Sequence, residues 1–257
     1  MLTGLSLDIA SCNSVTSDLT IGAPAPLSIA LWLHAMFKKT THGTGSTSAD
    51  PTFFWYGFSN LSLDEYPIRA ANKSVIYRGS KIVSGKFMDE SRIKSCRLSV
   101  VFEHEVNAFK ITDFNNVVSS NPFLGGSAMI IKSVQELDWN NKLIQLFSPC
   151  KMVVNASGLI SSDIDNATDD KCAFLIRLTK REKVFPALVG YSLLESPSAR
   201  RGVRYSPETG VCQHAYVSSL HGLVRYAPFK LAEKDRYKWE MERGDPKNPG
   251  DVVFLTK

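Results

Sequence analysis

The apolar positions at the start of the chain recur every second residue. In Leu2-Thr3-Gly4-Leu5-Ser6-Leu7-Asp8-Ile9-Ala10, Leu5, Leu7 and Ile9 share one face, and period two is that of a half-buried strand. After a polar stretch, Ser11 to Thr20, Ile21-Gly22-Ala23-Pro24-Ala25-Pro26 reads as a turn. Leu27 to Lys39 then runs free of Gly and Pro, with apolar residues at Leu27, Ala30, Leu31, Leu33 and Ala35. This predicts a helix opened by Pro26, with Lys38 and Lys39 favourably placed at its negative C-terminal end. Thr40 to Asp50 is a Gly/Ser/Thr-rich loop. Thr52 to Phe58 and Arg97 to Phe102 are rich in aromatic and β-branched residues and predict strands. Between them, Lys73, Arg78, Lys81, Lys86, Arg92 and Lys94 are spaced through short apolar pairs, which fits an exposed basic hairpin. Val106 to Ser120 is moderately helical and stops at Asn121-Pro122, because a residue before proline avoids the helical region. Gly125-Gly126-Ser127 leads into a further strand, Ala128 to Val134.

The predicted order is therefore β, α, β, hairpin, β, α, glycine-rich loop, β. This is the split-βαβ, ferredoxin-like plan of an α+β protein, with two helices on one face of a four-stranded antiparallel sheet. It assigns residues 1–135 to one domain carrying the basic hairpin at about 65–97, and residues 136–257 to a C-terminal extension of strands plus a short helix packed on it. Within the extension, Asp138 to Asp170 reads as polar and poorly periodic. Cys172 to Leu178 and Val184 to Leu194 read as strands, and Cys212 to Tyr226 as a short helical or mixed element.

Composition narrows the class. The 257 residues are 44% hydrophobic and 21% charged, which excludes a disordered tail, a collagen-like repeat or a disulfide scaffold. No internal repeat recurs at a fixed period. The net charge of +5 is unevenly placed: residues 1–170 hold 14 Lys+Arg against 16 Asp+Glu, residues 171–257 hold 16 against 9. A basic C-terminal region points to a polyanionic partner. The apolar stretches fall well short of the roughly 20 residues needed to cross a bilayer, and the N-terminus has no charged n-region or apolar h-region. A protein with no membrane association and a cytoplasmic location is expected. Five cysteines, Cys12, Cys96, Cys150, Cys172 and Cys212, form no C-x-x-C pair and suit a reducing compartment. The five histidines include no H-x-x-x-H pair, so no metal and no cofactor is expected.

Two motifs carry candidate chemistry. Glycines in Gly125-Gly126-Ser127 let another backbone approach closely and could present amides to a phosphate, although a two-glycine turn also commonly joins a helix to a strand. Arg200-Arg201-Gly202-Val203-Arg204-Tyr205 packs three guanidinium groups and one aromatic ring into six residues. Arginine forks suit phosphate oxygens and tyrosine offers a stacking face for an unpaired base. With Arg78, Lys81 and Lys86 of the hairpin, these form the expected binding set for a nucleic-acid strand. His34 in the helix reads as a packed histidine, His42 falls in the following loop, and His104, between Glu103 and Glu105, is expected to face solvent. Spacing assembles no nucleophile and base from them.

Several segments in order resemble a known family. Leu5-Ser6-Leu7-Asp8-Ile9, the stretch from Ser14 through Gly22-Ala23-Pro24-Ala25-Pro26, and Leu33-His34-Ala35-Met36 resemble the N-terminus of the five-type RAMP subunit of type I-F CRISPR surveillance complexes, the second Csy protein. Leu98 to Glu103 is similar to its third sheet strand and Leu124-Gly125-Gly126-Ser127 to its glycine-rich loop. Pro186 to Tyr191, Leu220-His221-Gly222-Leu223 and Pro228 are similar to its C-terminal strand and helix. This chain is shorter than the usual member, chiefly between the glycine loop and the last strands. The resemblance implies a non-catalytic subunit that caps the 5′ handle of a CRISPR RNA (crRNA), docks backbone and large subunits of the effector, and contributes to binding target DNA near the protospacer-adjacent motif. It places Gly125, Gly126 and Ser127 near the RNA backbone. The alternative within the same superfamily is a metal-independent endoribonuclease with His34 or His42 as general base.

Overall fold

The N-terminal alternation becomes the strand on which the rest is built. The computed structural model describes residues 1–13, 15–17, 20–42, 51–63, 68–70, 76–78, 81–83, 88–90, 92–161, 180–199 and 213–257. Strand β1 is Leu2–Ala10, and α1 is Pro26–His42, opened by Pro26 as expected and one turn longer than expected, so that His42 is its last residue. Strand β2 is Phe53–Leu63, β3 is Arg92–Glu103, α2 is Ile111–Ser120 and β4 is Ser127–Glu136. Helix α3, Asn141–Phe147, is followed by β5, Lys151–Asn155. The chain ends in β6 (Phe185–Leu193), β7 (Val217–Pro228), β8 (Trp239–Arg243) and β9 (Val252–Thr256).

The protein is a mixed α+β molecule with one large antiparallel sheet and few helices. Among the described residues these nine strands and the two-residue Cys12–Asn13 form that sheet, in the order β4-β1-β3-β2-β5-β7-β6-β9-β8. The sheet then returns on itself. Strand β2 gives Gly57 and Phe58 to β5 and, further back on the same edge, Phe53 and Phe54 to β8. Strands β2, β5, β7, β6, β9 and β8 thus close into a ring, and β4, β1 and β3 extend from it as a wing. Where its strands pair, the ring leaves no exposed edge.

Packing follows from the alternation. Leu5, Leu7 and Ile9 of β1, with Leu98, Val100 and Phe102 of β3 and Phe54, Tyr56 and Phe58 of β2, face α1 and α2. Helix α1 presents Ile29, Ala30, Leu33, Met36 and Phe37, the spacing of one helical face, and α2 adds Phe114 and Val118. This core runs without a break into the ring, through Val153, Ala187, Val189, Val224 and the fully buried Trp239. Trp239 Nε1 donates to the Val153 carbonyl at 2.9 Å, so its polar tip is satisfied inside.

The opposite face of the wing is covered by α3, which seats Leu143, Leu146 and Phe147 against Leu2, Trp55, Val101 and Val134. Asn140 caps α3 by accepting from the Lys142 and Leu143 amides at 3.0 and 3.2 Å. The Ser99 hydroxyl donates to the Leu146 carbonyl at 2.7 Å at the helix end. This helix and β5 occupy the stretch expected to be aperiodic, and β7 is a twelve-residue strand where a helical or mixed element was expected. The expected strand Cys172 to Leu178 lies outside the described residues. No helix among the described residues is long and apolar enough to cross a membrane.

Candidate nucleic-acid interface

Three features gather at one end of the sheet, where β1, β2 and the hydrogen-bonded strand starts of β3 and β4 meet. The first is the glycine turn. Phe123 and Gly126 exchange backbone hydrogen bonds of 2.9 and 3.1 Å around Leu124 (φ 46°) and Gly125 (φ 79°). Two successive positive φ angles inside such a pair give the I′ pattern of a tight hairpin turn. Phe123 is fully buried and meets Trp32 of α1 edge to face at 5.0 Å, which fixes the turn to the core. A Cβ on Gly126 would lie 2.4 Å from the Ala10 carbonyl oxygen and 2.5 Å from the Cys12 amide nitrogen. The close approach that Gly126 permits is therefore to the chain's own first strand, and its amide is used by Phe123. A Cβ on Gly125 meets nothing within 4 Å, which leaves Gly125 as the outward residue of the turn. Ser127 begins β4 opposite Ala10.

The second is a pocket of about 490 Å³ beside that turn, on the face opposite α1 and α2. Asp8, Asn60, Ser95, Arg97 and Met129 line it. Arg97 donates to both oxygens of Asp8, Nε to Oδ1 at 2.9 Å and Nη2 to Oδ2 at 3.3 Å. This bidentate pair keeps the guanidinium plane fixed across β1 and β3 and balances its charge locally.

The third is a groove of about 650 Å³ on the other side of Asn60, whose φ of 54° marks a bulge in β2. Phe58, Leu61, Leu63, Lys151, Phe185 and Tyr226 line it. Tyr226 meets Phe58 edge to face at 4.9 Å and stacks on Phe185 with centroids 5.3 Å apart and planes at 22°. Phe185 is 37% exposed at the rim. Burial pushes the Tyr226 phenol above its usual range, so the ring is neutral at pH 7.

The predicted basic hairpin rises from the same end. Leu63 and Ile93 pair at its root, Ile68–Ala70 pairs with Met88–Glu90, and Ile76–Arg78 pairs with Lys81–Val83, which sets Arg78 opposite Lys81 in the backbone ladder. Lys86 lies outside the described residues, as do Arg200, Arg201, Arg204 and Tyr205. The arginine segment is rooted by a two-residue ladder, Ser198 to His214 and Ala199 to Gln213, beyond Leu193 and Val217. That is the far end of β6 and β7 from Phe185 and Tyr226, about 25 Å away along the strand. The glycine turn and the hairpin root are thus brought together, and the arginine root is set apart from them.

His104 departs from its expected position. It is 6% exposed, its Nδ1–H donates to the Glu105 carbonyl at 2.7 Å, and Nε2 accepts from the Thr3 hydroxyl at 2.8 Å. Burial lowers its pKa to about 4. His34 is half-buried with its ring against the Arg243 guanidinium, Nδ1 at 2.6 Å. Cys12, Cys96 and Cys150 are buried free thiols, and burial raises the first two to about 11 and about 12. Thiolate chemistry at neutral pH is closed to them. Among the described residues no group of three or more His, Cys, Asp or Glu is placed to hold a metal ion.

Sequence reasoning missed Asn60, Lys151, Phe185 and Tyr226. Phe185 and Tyr226 stand 41 positions apart in unrelated apolar runs, and only the pairing of β6 with β7, Phe185 opposite Val224, sets them side by side. No protein-family model matches this sequence, and no curated protein matches it.

Proposed function

We propose that the chain is a non-catalytic, cytoplasmic RNA-binding subunit of an I-F-like type I CRISPR effector. It caps the 5′ handle of the crRNA, docks the backbone and large subunits, and contributes to binding target DNA. The observation that carries this reading is the wing and its junction with the ring. Four strands in the spatial order fourth, first, third, second are joined by α1 and α2, which pack together on one face. We read this as the split-βαβ, ferredoxin-like plan. The glycine turn falls between α2 and the fourth strand, the position at which the resembled family carries its glycine-rich loop. A basic hairpin between the second and third strands stands at the same end. An unpaired RNA strand needs cations for its phosphates and apolar faces for its bases, and that end supplies both.

The test is coexpression with the genomic neighbours, followed by purification. Copurification of a crRNA with basic backbone subunits is the expected result, and a protein free of nucleic acid in that setting overturns the reading. Labelled repeat RNA incubated without metal should be bound and left intact. Specific cleavage abolished by His34→Ala or His42→Ala would instead establish the endoribonuclease. Replacing Arg200, Arg201 and Arg204 together by Ala should weaken handle binding and flatten its dependence on salt, because fewer counterions are released. An unchanged affinity and slope removes those three from the site.

A further inference from the structure

We infer that the groove between β2, β5, β6 and β7 seats one unpaired nucleobase of a single-stranded RNA, with its phosphate at Lys151; this rests on the RNA-binding reading above. The larger part of the lining is apolar. Phe58, Leu61 and Leu63 line the groove together with the stacked rings of Tyr226 and Phe185. At about 650 Å³ the groove is within the size range of sites for small ligands, about 300–1,000 Å³. A bare anion gains nothing from such a lining, whereas a planar, weakly polar ring stacked on Phe185 gains contact over its whole face. Phe185, 37% exposed, presents ring surface outward while Tyr226 backs it at 5.3 Å.

The polar groups sit where a nucleotide needs them. Lys151 is exposed at the start of β5 and lines the groove, a point charge suited to one phosphate. Asn60, exposed on the bulge, offers an amide with both donors and an acceptor to a base edge. Leu63 lines the groove and is also the last residue before the basic segment, which carries six Lys and Arg against four Asp and Glu over residues 64–92. The last residue before that segment is thus part of the groove's lining. A fatty acyl chain or an apolar peptide would use the same lining without Lys151, and a groove built for either gives no RNA affinity that depends on Phe185 and Lys151 together.

The experiment measures fluorescence anisotropy of a labelled eight-nucleotide single-stranded RNA carrying 2-aminopurine, across a salt series. The proteins are the full chain and its Phe185→Ala, Phe185→Leu and Lys151→Gln variants. Phe185→Leu keeps the apolar packing on Tyr226 and removes only the stacking face, so it decides the matter where Phe185→Ala unfolds. Both Phe185 variants should bind about 10-fold more weakly at an unchanged salt slope, within the range measured for one base stack, and should lose the quenching of 2-aminopurine. Lys151→Gln should reduce the slope of log affinity against log salt by about one. Wild-type RNA affinity in both Phe185 variants overturns the groove assignment while leaving the RNA-binding reading in place. A full chain that binds no RNA overturns both. Equal losses for RNA and for inorganic polyphosphate in the Phe185 variants also overturn the assignment, because polyphosphate has no ring to stack. So does a Lys151→Gln variant with an unchanged slope.

Discussion

His104 should make the fold sensitive to mild acid, by an amount that the structure sets. Its ring is enclosed by Thr3, Phe102 and Phe109, with the Phe109 centroid 4.6 Å away, and both ring nitrogens have partners. The Nδ1 proton is held by a carbonyl, and Nε2 must accept from a hydroxyl. A second proton would turn the Thr3 hydroxyl from donor to acceptor and place a charge in an apolar setting. The folded pKa is accordingly about 4, against 6.5 for a free histidine. Because the folded value is depressed, the unfolded chain binds the proton first as pH falls. The stability this imparts is fully present above about pH 6.5, declines between there and about pH 4, and is gone below. Over the whole window the gap is worth about 3 kcal/mol, of which about 2 kcal/mol falls between pH 7 and pH 5. Urea unfolding followed by tryptophan fluorescence at half-unit pH steps reads it directly. Carboxylates titrate in the same samples, so the decisive quantity is the difference between the wild type and His104→Gln, which cannot titrate. The variant should be less stable at pH 7 and should lose about 2 kcal/mol less than the wild type on going to pH 5. Parallel pH profiles for the two proteins refute the reasoning, as does a proton-NMR titration placing His104 near 6.5.

Further outcomes follow from particular contacts. Gly126→Ala should destabilise the fold by about 2–3 kcal/mol in urea unfolding, because its Cβ meets the Ala10 and Cys12 backbone, which cannot yield as a side chain can. Gly125→Ala should cost only about 1–2 kcal/mol, the strain of a positive φ with open space around it. Trp239→Ala should cost about 3–5 kcal/mol, and Trp239→Phe about 1–3 kcal/mol, since the Val153 carbonyl loses its indole donor; a thermal shift or urea series checks both. Cys12, Cys96 and Cys150 should resist a thiol reagent at pH 7.5 in the native state and react fully in denaturant, read by peptide mass mapping.

The N-terminal half was legible because its elements obey simple periods over enough length to show them. Strand β1 matches its predicted bounds, and α1 was visible from Pro26 and an uninterrupted run. Its buried face nevertheless differs from the residues that marked it: Leu31 and Ala35 are only half-buried, while Ile29, Trp32, Met36 and Phe37 are buried. The C-terminal half was harder for physical reasons. Helix α3 is seven residues long and held mainly by three side chains and the Asn140 cap, too short to display a period. Strand β7 has neighbours on both edges and carries Ser218, Ser219, His221 and Gly222 among its apolar residues, which blurs the alternation. A signal existed at β8, where Trp239 and Met241 are buried and Glu242 is exposed. Of the candidate site, composition located the glycine turn and the hairpin, while the aromatic groove depends on strand pairing between distant segments.

The groove has its origin in unequal strand lengths. Strand β2 has eleven residues and β5 has five. On their shared edge β5 reaches only Gly57 and Phe58, so Ser59 to Leu63 continue with β3 on one side and no strand neighbour on the other among the described residues. A strand left this way must either stop or turn its apolar side chains toward whatever is near. Here the bulge at Asn60 interrupts the pairing with β3, Leu61 and Leu63 line one cavity with Tyr226 and Gly22, and Asp8 and Arg97 line the other. The overhang that β5 fails to cover is the same length of strand that carries the chain into its basic hairpin. The groove is therefore a consequence of one mismatch in strand length.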